Sequence, residues 1–293
     1  MSKMGMFGAG RTAKGARSTA GSAGETAAPP PPRRGGPLTL RPSALAGLVE
    51  LGRQHAADPE AYADFRRLLA QLAQAIQADS VDGQVRMSWG GPMNGQAFRQ
   101  KMFQKLVRLG VDVIVETGTY LGTSTAYFAR QGLPVVSCEA SDRFLAAAAT
   151  HLAELTNVTL HLQDSRAFLK HLAAEPGFGF RFPLFYLDAH WSEDLPLAEE
   201  IGIITARWPS FAIMVDDFQV PGARYAYDNY GDGKELSLAY LDRNGVDLSG
   251  LAVLFPAAGP DQETGAKRGS VVLMPSEIYE QRLSRDEVFT RHR

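Results

Sequence analysis

The sequence predicts an α/β protein. Its centre is a doubly wound, mostly parallel seven-stranded sheet, closed by a C-terminal antiparallel pair and preceded by an N-terminal helical extension. Three observations predict it. Short apolar runs alternate with amphipathic helical runs from 111 to 215, which implies parallel strands with helices on both faces. Several of these runs end on a carboxylate: Glu116, Glu139, Asp188 and the pair Asp216 and Asp217. The last two runs, 251–255 and 270–274, are joined by a glycine-rich polar connection too short for a helical crossover, so they pair antiparallel.

Composition bounds the rest. The chain has 293 residues, 45% of them hydrophobic, enough for one large core with extensions. Its formal net charge of −2 gives no reason to expect nucleic acid. No apolar run approaches membrane-spanning length. The single cysteine, Cys138, sits inside an apolar run and reads as a buried strand thiol, which fits a reducing cytoplasm.

Residues 1–37 differ in kind. They are rich in Gly, Ala, Ser and Pro, with Lys3, Arg11, Lys14, Arg17, Arg33 and Arg34 against Glu25. Such a segment buries too little to order itself and is expected as a disordered tail. It lacks the apolar centre of a secretory signal; a transit peptide would share the basic bias, but low complexity explains it as well. Residues 38–109 are expected as a helical cap and lid segment. Leu45, Leu48 and Leu51, then Phe65, Leu68, Leu69, Leu72 and Ile76, fall at helical spacing over 42–57 and 59–79, as a cap or a contact in a homo-oligomer. Residues 80–96 form a loop dense in turn residues, where Trp89 folds over a ligand or anchors the loop, and 97–109 is a helix.

The sheet domain is expected over 110–293. A buried strand from Val111 breaks into the turn Glu116-Thr117-Gly118-Thr119-Tyr120-Leu121-Gly122, then a helix over 123–131 that Thr123 or Ser124 would cap. Strand, glycine turn and helix start together make a ligand cradle: backbone approaches closely where Cβ is missing, and helix-start N–H groups are free. Strands follow at 134–138, 158–162, 183–187 and 211–215, and helices at 142–156, capped by Ser141 or Asp142, at 165–174, 195–207 and 232–244. Ligands of such a sheet lie beyond the carboxyl ends of its strands.

The E-x-G-x-x-x-G spacing of the turn is not the G-x-G-x-x-G of dinucleotide folds. It resembles the first motif of class I S-adenosylmethionine-dependent methyltransferases. The resemblance implies a Rossmann-like methyltransferase fold, with a parallel sheet finished by an antiparallel pair. It also implies S-adenosylmethionine across Glu116, Gly118, Tyr120, Gly122, Ser124, Glu139, Asp164, Ser165 and Asp188, with Glu139 at the ribose and Asp164 at the adenine edge. Asp164 is equally a helix N-cap residue.

Asp188, Asp216 and Asp217 come from two neighbouring strands to one rim, and carboxylates gathered there suit a hard divalent cation such as Mg2+. This pattern resembles the metal-dependent sugar O-methyltransferases of macrolide and aminocoumarin pathways, across 111–217. Those carry an acidic residue two positions after the first metal aspartate, whereas here His190 stands in Asp188-Ala189-His190-Trp191. Cephalosporin hydroxylase-like proteins are similar here and place a histidine close to this position. With an ordinary pKa near ~6.5, His190 suits base work at neutral pH, or it sits behind the metal ligands. The catalytic candidates are therefore His190 and Asp188. The segment 219–234, with Tyr225, Tyr227 and Tyr230 among glycines, reads as an acceptor-binding loop or a surface loop pinned by its tyrosines.

The expected activity is metal-assisted O-methylation of a small-molecule hydroxyl: a sugar, a glycoside or another secondary metabolite. Two alternatives stand beside it: a metal-independent methyltransferase with His190 as base, and a non-catalytic scaffold on a cofactor fold.

Overall fold

The computed structural model describes residues 38–40, 90–175, 179–190 and 194–292. The tail over 1–37, the helices expected over 42–57 and 59–79, and Trp89 lie outside the described residues. In chain order the elements are β1 (Leu38–Leu40), α1 (Ala97–Val107), β2 (Val113–Thr117), α2 (Thr123–Ala129), β3 (Val135–Glu139), α3 (Asp142–His151), β4 (Val158–Leu162), α4 (Ser165–Ala174) and β5 (Pro183–Leu187). Then come α5 (Leu197–Arg207), β6 (Ala212–Val215), α6 (Leu238–Arg243), β7 (Leu251–Pro256), β8 (Val271–Pro275), α7 (Ser276–Arg282) and β9 (Phe289–Arg291).

The strands form one sheet in the order β1-β4-β3-β2-β5-β6-β8-β7-β9. From β4 to β6 neighbours pair in parallel, while β8 is antiparallel to both β6 and β7. The seven expected strands are all present, with the antiparallel pair where the resemblance implies it. Two short edge strands extend the sheet: β1 pairs antiparallel with β4, and β9 with β7. At three residues each, β1 and β9 are too short to show a period of two, and β1 falls where a helical cap was expected.

The central strands are apolar throughout because both faces are covered; β2 and β5 are buried at every position. Ile114, Tyr186 and Met214 face a layer made by α1, α2 and α3, whereas Val113, Phe185 and Ile213 face α4 and α5. Helix α1 belongs to this core: Met102, Phe103 and Leu106 are fully buried, and the Phe103 ring stacks 4.5 Å from Phe128. The expected boundary between 109 and 110 therefore divides residues that share one core.

Helix ends differ from the expectation where backbone, not side chain, decides. α2 starts after Gly122, a left-handed N-cap residue with φ 78° and no side-chain cap bond, so neither Thr123 nor Ser124 caps it. The Ser124 hydroxyl instead accepts from Met93 N at 3.0 Å, tying the segment before α1 to α2. The helix expected over 232–244 begins only at Leu238, because Asp232 and Gly233 take positive φ and Ser237 caps the later start through Tyr240 N.

Candidate active site

The glycine turn at the end of β2 is tied to both neighbouring strands. Gly118 N and Thr119 N each donate to Cys138 O of β3 at 3.0 Å, and Tyr120 N donates to Glu139 Oε2 at 2.8 Å. Gly118 has φ 87°, and a Cβ there would meet Asp188 O at 2.5 Å. Its missing side chain is thus spent on the close approach of β2 and β5. Gly122 is likewise held against Leu152 of the α3 end.

Glu116 lies beneath this turn rather than in the open cleft. It is 1% exposed, and its Oε2 accepts from the Thr125 and Ser137 hydroxyls, both at 2.6 Å. Burial pushes its pKa up to about 7, against the pull of those two hydroxyls. Glu139 closes β3 half-buried, accepting from Tyr120 N and from Ser141 N at 2.9 Å. Burial raises its pKa as well, although backbone donors oppose the shift. The Tyr120 ring, 38% exposed, packs tilted against Phe144, with centroids 4.6 Å apart.

Asp164 is the N-cap of α4, accepting from Arg166 N at 3.0 Å and Ala167 N at 3.3 Å, and its Oδ2 also receives Arg166 Nη2 at 2.9 Å. Burial raises its pKa, but the Arg166 hydrogen bond and charge outweigh that and leave it lowered. A ligand at the adenine position would share this carboxylate with Arg166. Ser165 is buried, and its hydroxyl faces Glu200 of α5, whose pKa burial lifts to about 7.

The acidic residues after β5 and β6 separate into two groups. Asp188, His190 and Asp217 each offer a ligand atom within 4.8 Å of the others. Asp216 is not in that group. It is 1% exposed, ion-paired with buried Arg99, and accepts the Tyr186 hydroxyl. This corrects its expected place among metal ligands, and the period of a strand explains it. Asp216 shares the parity of Ala212 and Met214, so it points under α1, where Arg99 lies. Asp217 turns the other way through a left-handed backbone with φ 52°.

Three residues beyond the expected set complete the cluster. Asp228 Oδ2 stands 3.5 Å from His190 Nε2 and accepts the Tyr230 hydroxyl at 2.7 Å. Arg268 bridges Asp217 and Asp228. Arg99 also reaches Asp217 at 3.7 Å and donates to Gly269 O at 2.9 Å. Arg99 had a signal in the sequence: with Met102, Phe103 and Leu106 it falls at helical spacing on the buried stripe of α1, where a cation needs a buried partner. Arg268 lies on the glycine-rich polar connection between β7 and β8. Its backbone is clamped there, N donating to Gln96 Oε1 at 2.7 Å and O accepting Gln96 Nε2 at 2.8 Å.

Loss of water around it and the charge of Asp217 push the Asp188 pKa well up, despite Arg99. His190 is 6% exposed, and burial lowers its pKa although Asp217 and Asp228 pull the other way. The imidazole is therefore neutral at neutral pH. Of the tyrosines in 219–234, Tyr225 is a buried anchor whose hydroxyl donates to Ala258 O at 2.9 Å, while Tyr227 and Tyr230 are half-buried. Two surface cavities, one beside Tyr279 and His292 and one between Asp112, Phe182 and Arg282, include none of these residues.

The chain is similar to solved methyltransferase structures. One is an O-methyltransferase from Bacillus cereus in complex with SAH, at 18% identity and TM-score 0.46, covering 70% of this chain and 90% of that one. Another is the O-methyltransferase TomG from Streptomyces achromogenes in complex with SAM, at 21% identity and TM-score 0.45, covering 60% and 79%. An rRNA methylase from Streptococcus thermophilus matches at 22% identity and TM-score 0.41, covering 60% and 96%. No family model and no curated protein matches the sequence. No described helix is long and apolar enough to cross a membrane.

Proposed function

We propose that the chain is an S-adenosylmethionine-dependent methyltransferase acting on a hydroxyl of a small molecule, with a divalent cation at the rim. The observation that carries it is the joining of the glycine turn to Glu139 within this strand order. Acidic ends of β2 and β3 flank a turn whose backbone is fixed, next to a carboxylate cluster at the end of β5. Glu139, half-buried at the end of β3, complements ribose hydroxyls, while Glu116 braces the turn from beneath through Thr125 and Ser137. S-adenosylmethionine would supply an electrophilic methyl group on a sulfonium.

The donor atoms of Asp188, His190 and Asp217 fit a cation in number and spacing. Bound there, it would lower the pKa of an acceptor hydroxyl. Asp188 and Asp228 are carboxylates within the same cluster able to take that proton, and the Tyr230 hydroxyl donates to Asp228. The chain's share of catalysis is alignment of donor and acceptor oxygen and handling of charge.

A second reading has its own observation. Arg268 pairs with both Asp217 and Asp228 while Arg99 pairs with Asp216, so the charge of the cluster is partly offset without a metal, and His190, whose pKa burial lowers, is then the base. Unfolding followed with S-adenosylhomocysteine tests the first step: at 100 times its dissociation constant it adds about 2.7 kcal/mol of stability. No stabilisation by this ligand overturns the methyltransferase reading. Transfer of labelled methyl to a hydroxyl-bearing acceptor, with and without chelator, separates the two forms: a rate indifferent to chelation leaves His190 as base.

A further inference from the structure

Glu200, in the first turn of α5, is a buried carboxyl with no part in the proposed chemistry. It is 1% exposed and lies on the face of the sheet opposite Glu116. Thr117, the last residue of β2, shares the parity of Val113 and Val115 and so turns toward α4 and α5, as does its register partner Cys138 on β3. Ser165 opens α4, directly after its cap Asp164. The Thr117 and Ser165 hydroxyls are both buried against the Glu200 carboxyl. Glu200 Oε1 and Thr117 Oγ1 nevertheless lack a hydrogen-bond partner of good geometry among the described residues. Buried polar atoms left unpaired are costly, and two in one place need a common explanation. They are complementary to each other, and a small approach of the end of β2 to α5 pairs them.

We propose that Glu200 is a positioning residue for the nucleoside half of the cofactor, setting the end of β2 against the first turn of α4 through Thr117 and Ser165. Thr117 leads directly into Gly118 and the glycine turn, and Ser165 follows Asp164, the residue expected at the adenine edge. One side chain thus braces both walls of the cleft from beneath, as Glu116 braces the turn from the other face through Thr125 and Ser137. The inference rests on the methyltransferase reading and extends it to a residue that touches no ligand. Burial lifts the Glu200 pKa to about 7; the Ser165 and Thr117 hydroxyls hold it down, Asp164 raises it and Arg166 lowers it. Cys138 of β3 and Tyr240 of α6 also face this carboxyl. A nucleoside that takes its share of Asp164 from Arg166 loosens the charge that favours ionised Glu200. The bound state therefore prefers the neutral carboxyl, binding takes up a proton, and affinity falls as pH rises through about 7.

The test follows binding of S-adenosylhomocysteine to the full chain by calorimetry, near pH 6 and near pH 8. The wild-type chain should bind about fivefold more weakly near pH 8. Glu200→Gln keeps polar partners for Thr117 and Ser165 but cannot ionise, so it should match wild type near pH 6 and lose the fall. Glu200→Ala should bind about tenfold more weakly at both pH values, with a cooperative unfolding transition showing that it is folded. Glu116→Gln removes the other buried carboxyl of similar pKa and should keep the fall. A wild-type affinity indifferent to pH, a fall that survives in Glu200→Gln or vanishes in Glu116→Gln, or a folded Glu200→Ala that binds as wild type does, overturns the inference and leaves the methyltransferase reading standing. If Glu200→Ala does not fold, the two glutamine variants decide. Failure of the wild-type chain to bind S-adenosylhomocysteine at either pH overturns the methyltransferase reading and this inference with it.

Discussion

At the scale of single residues, Glu116 shows what the sequence could and could not say. Its place at the end of a strand was legible, because an apolar run that stops on a carboxylate marks the strand's carboxyl end. Its burial follows from parity: Glu116 shares the face of Ile114 and so turns inward under α2, where Thr125 meets it. A buried carboxyl whose pKa rises from 4.5 to about 7 makes a signed prediction. The folded state favours the protonated form, so stability is highest below the unfolded pKa and falls as pH rises toward the folded one, by about 3 kcal/mol in all. Glu116→Gln keeps an acceptor for Thr125 and Ser137 and removes this dependence. Urea unfolding should find the variant close to wild type near pH 4 and more stable by up to about 3 kcal/mol at pH 8. Equal differences at the two pH values would show that Glu116 does not carry the shift. The adjacent Asp216 and Asp217 were legible as a pair, but their division of labour was not read out. One continues the strand toward Arg99, and the other leaves it through a left-handed backbone.

At the scale of elements, the connection between β7 and β8 is where composition says least. Glycine, alanine and charged side chains in 256–269 describe a solvated turn equally well as a strap, because backbone hydrogen bonds leave no compositional mark. The strap is fixed at several points: Ala266 N donates to Asn94 O at 3.1 Å, Gly269 N to Ala226 O at 2.7 Å, and Ala97 N to the Thr264 hydroxyl at 2.9 Å. It delivers Arg268 to Asp217 and Asp228, where the guanidinium holds the position a cation would contest. Buried Arg99 cannot leave, but the Arg268 side chain is 24% exposed and has room to turn outward. Arg268→Gln should therefore melt at a lower temperature than wild type in chelator, since its carboxylates lose a counter-charge. It should gain more on addition of Mn2+, with an affinity at least severalfold tighter. A variant that loses stability without gaining affinity would make Arg268 a structural tie and not a competitor of the ion.

At the scale of the whole molecule, the parallel–antiparallel sheet was readable from alternation, and β4 and β5 have the expected limits. The partition of the chain was less readable. Periodicity identifies α1 as a helix, but it cannot say which sheet its stripe meets, and a boundary at 110 followed from the start of β2. The structure makes α1 part of the sheet's first layer. Phe103 packs on Phe128 of α2 and lies 6.3 Å from Tyr186 of β5, which in turn bonds Asp216. Arg99, on the same stripe, neutralises Asp216 in a setting where an unpaired buried carboxylate would cost about 3–5 kcal/mol. Helix α1 thus fills the core on one side of β5 and β6 and sets the charge of the rim above them. Phe103→Ala in the full chain should cost about 3–5 kcal/mol, measured by denaturant unfolding. A chain beginning at residue 110 loses the aromatic stack and the Asp216 partner together, a deficit comparable with the whole stability of a typical domain. It should show no cooperative unfolding transition. A fragment 110–293 that melts cooperatively at the temperature of the full chain would make α1 an appendage and return the boundary to 109.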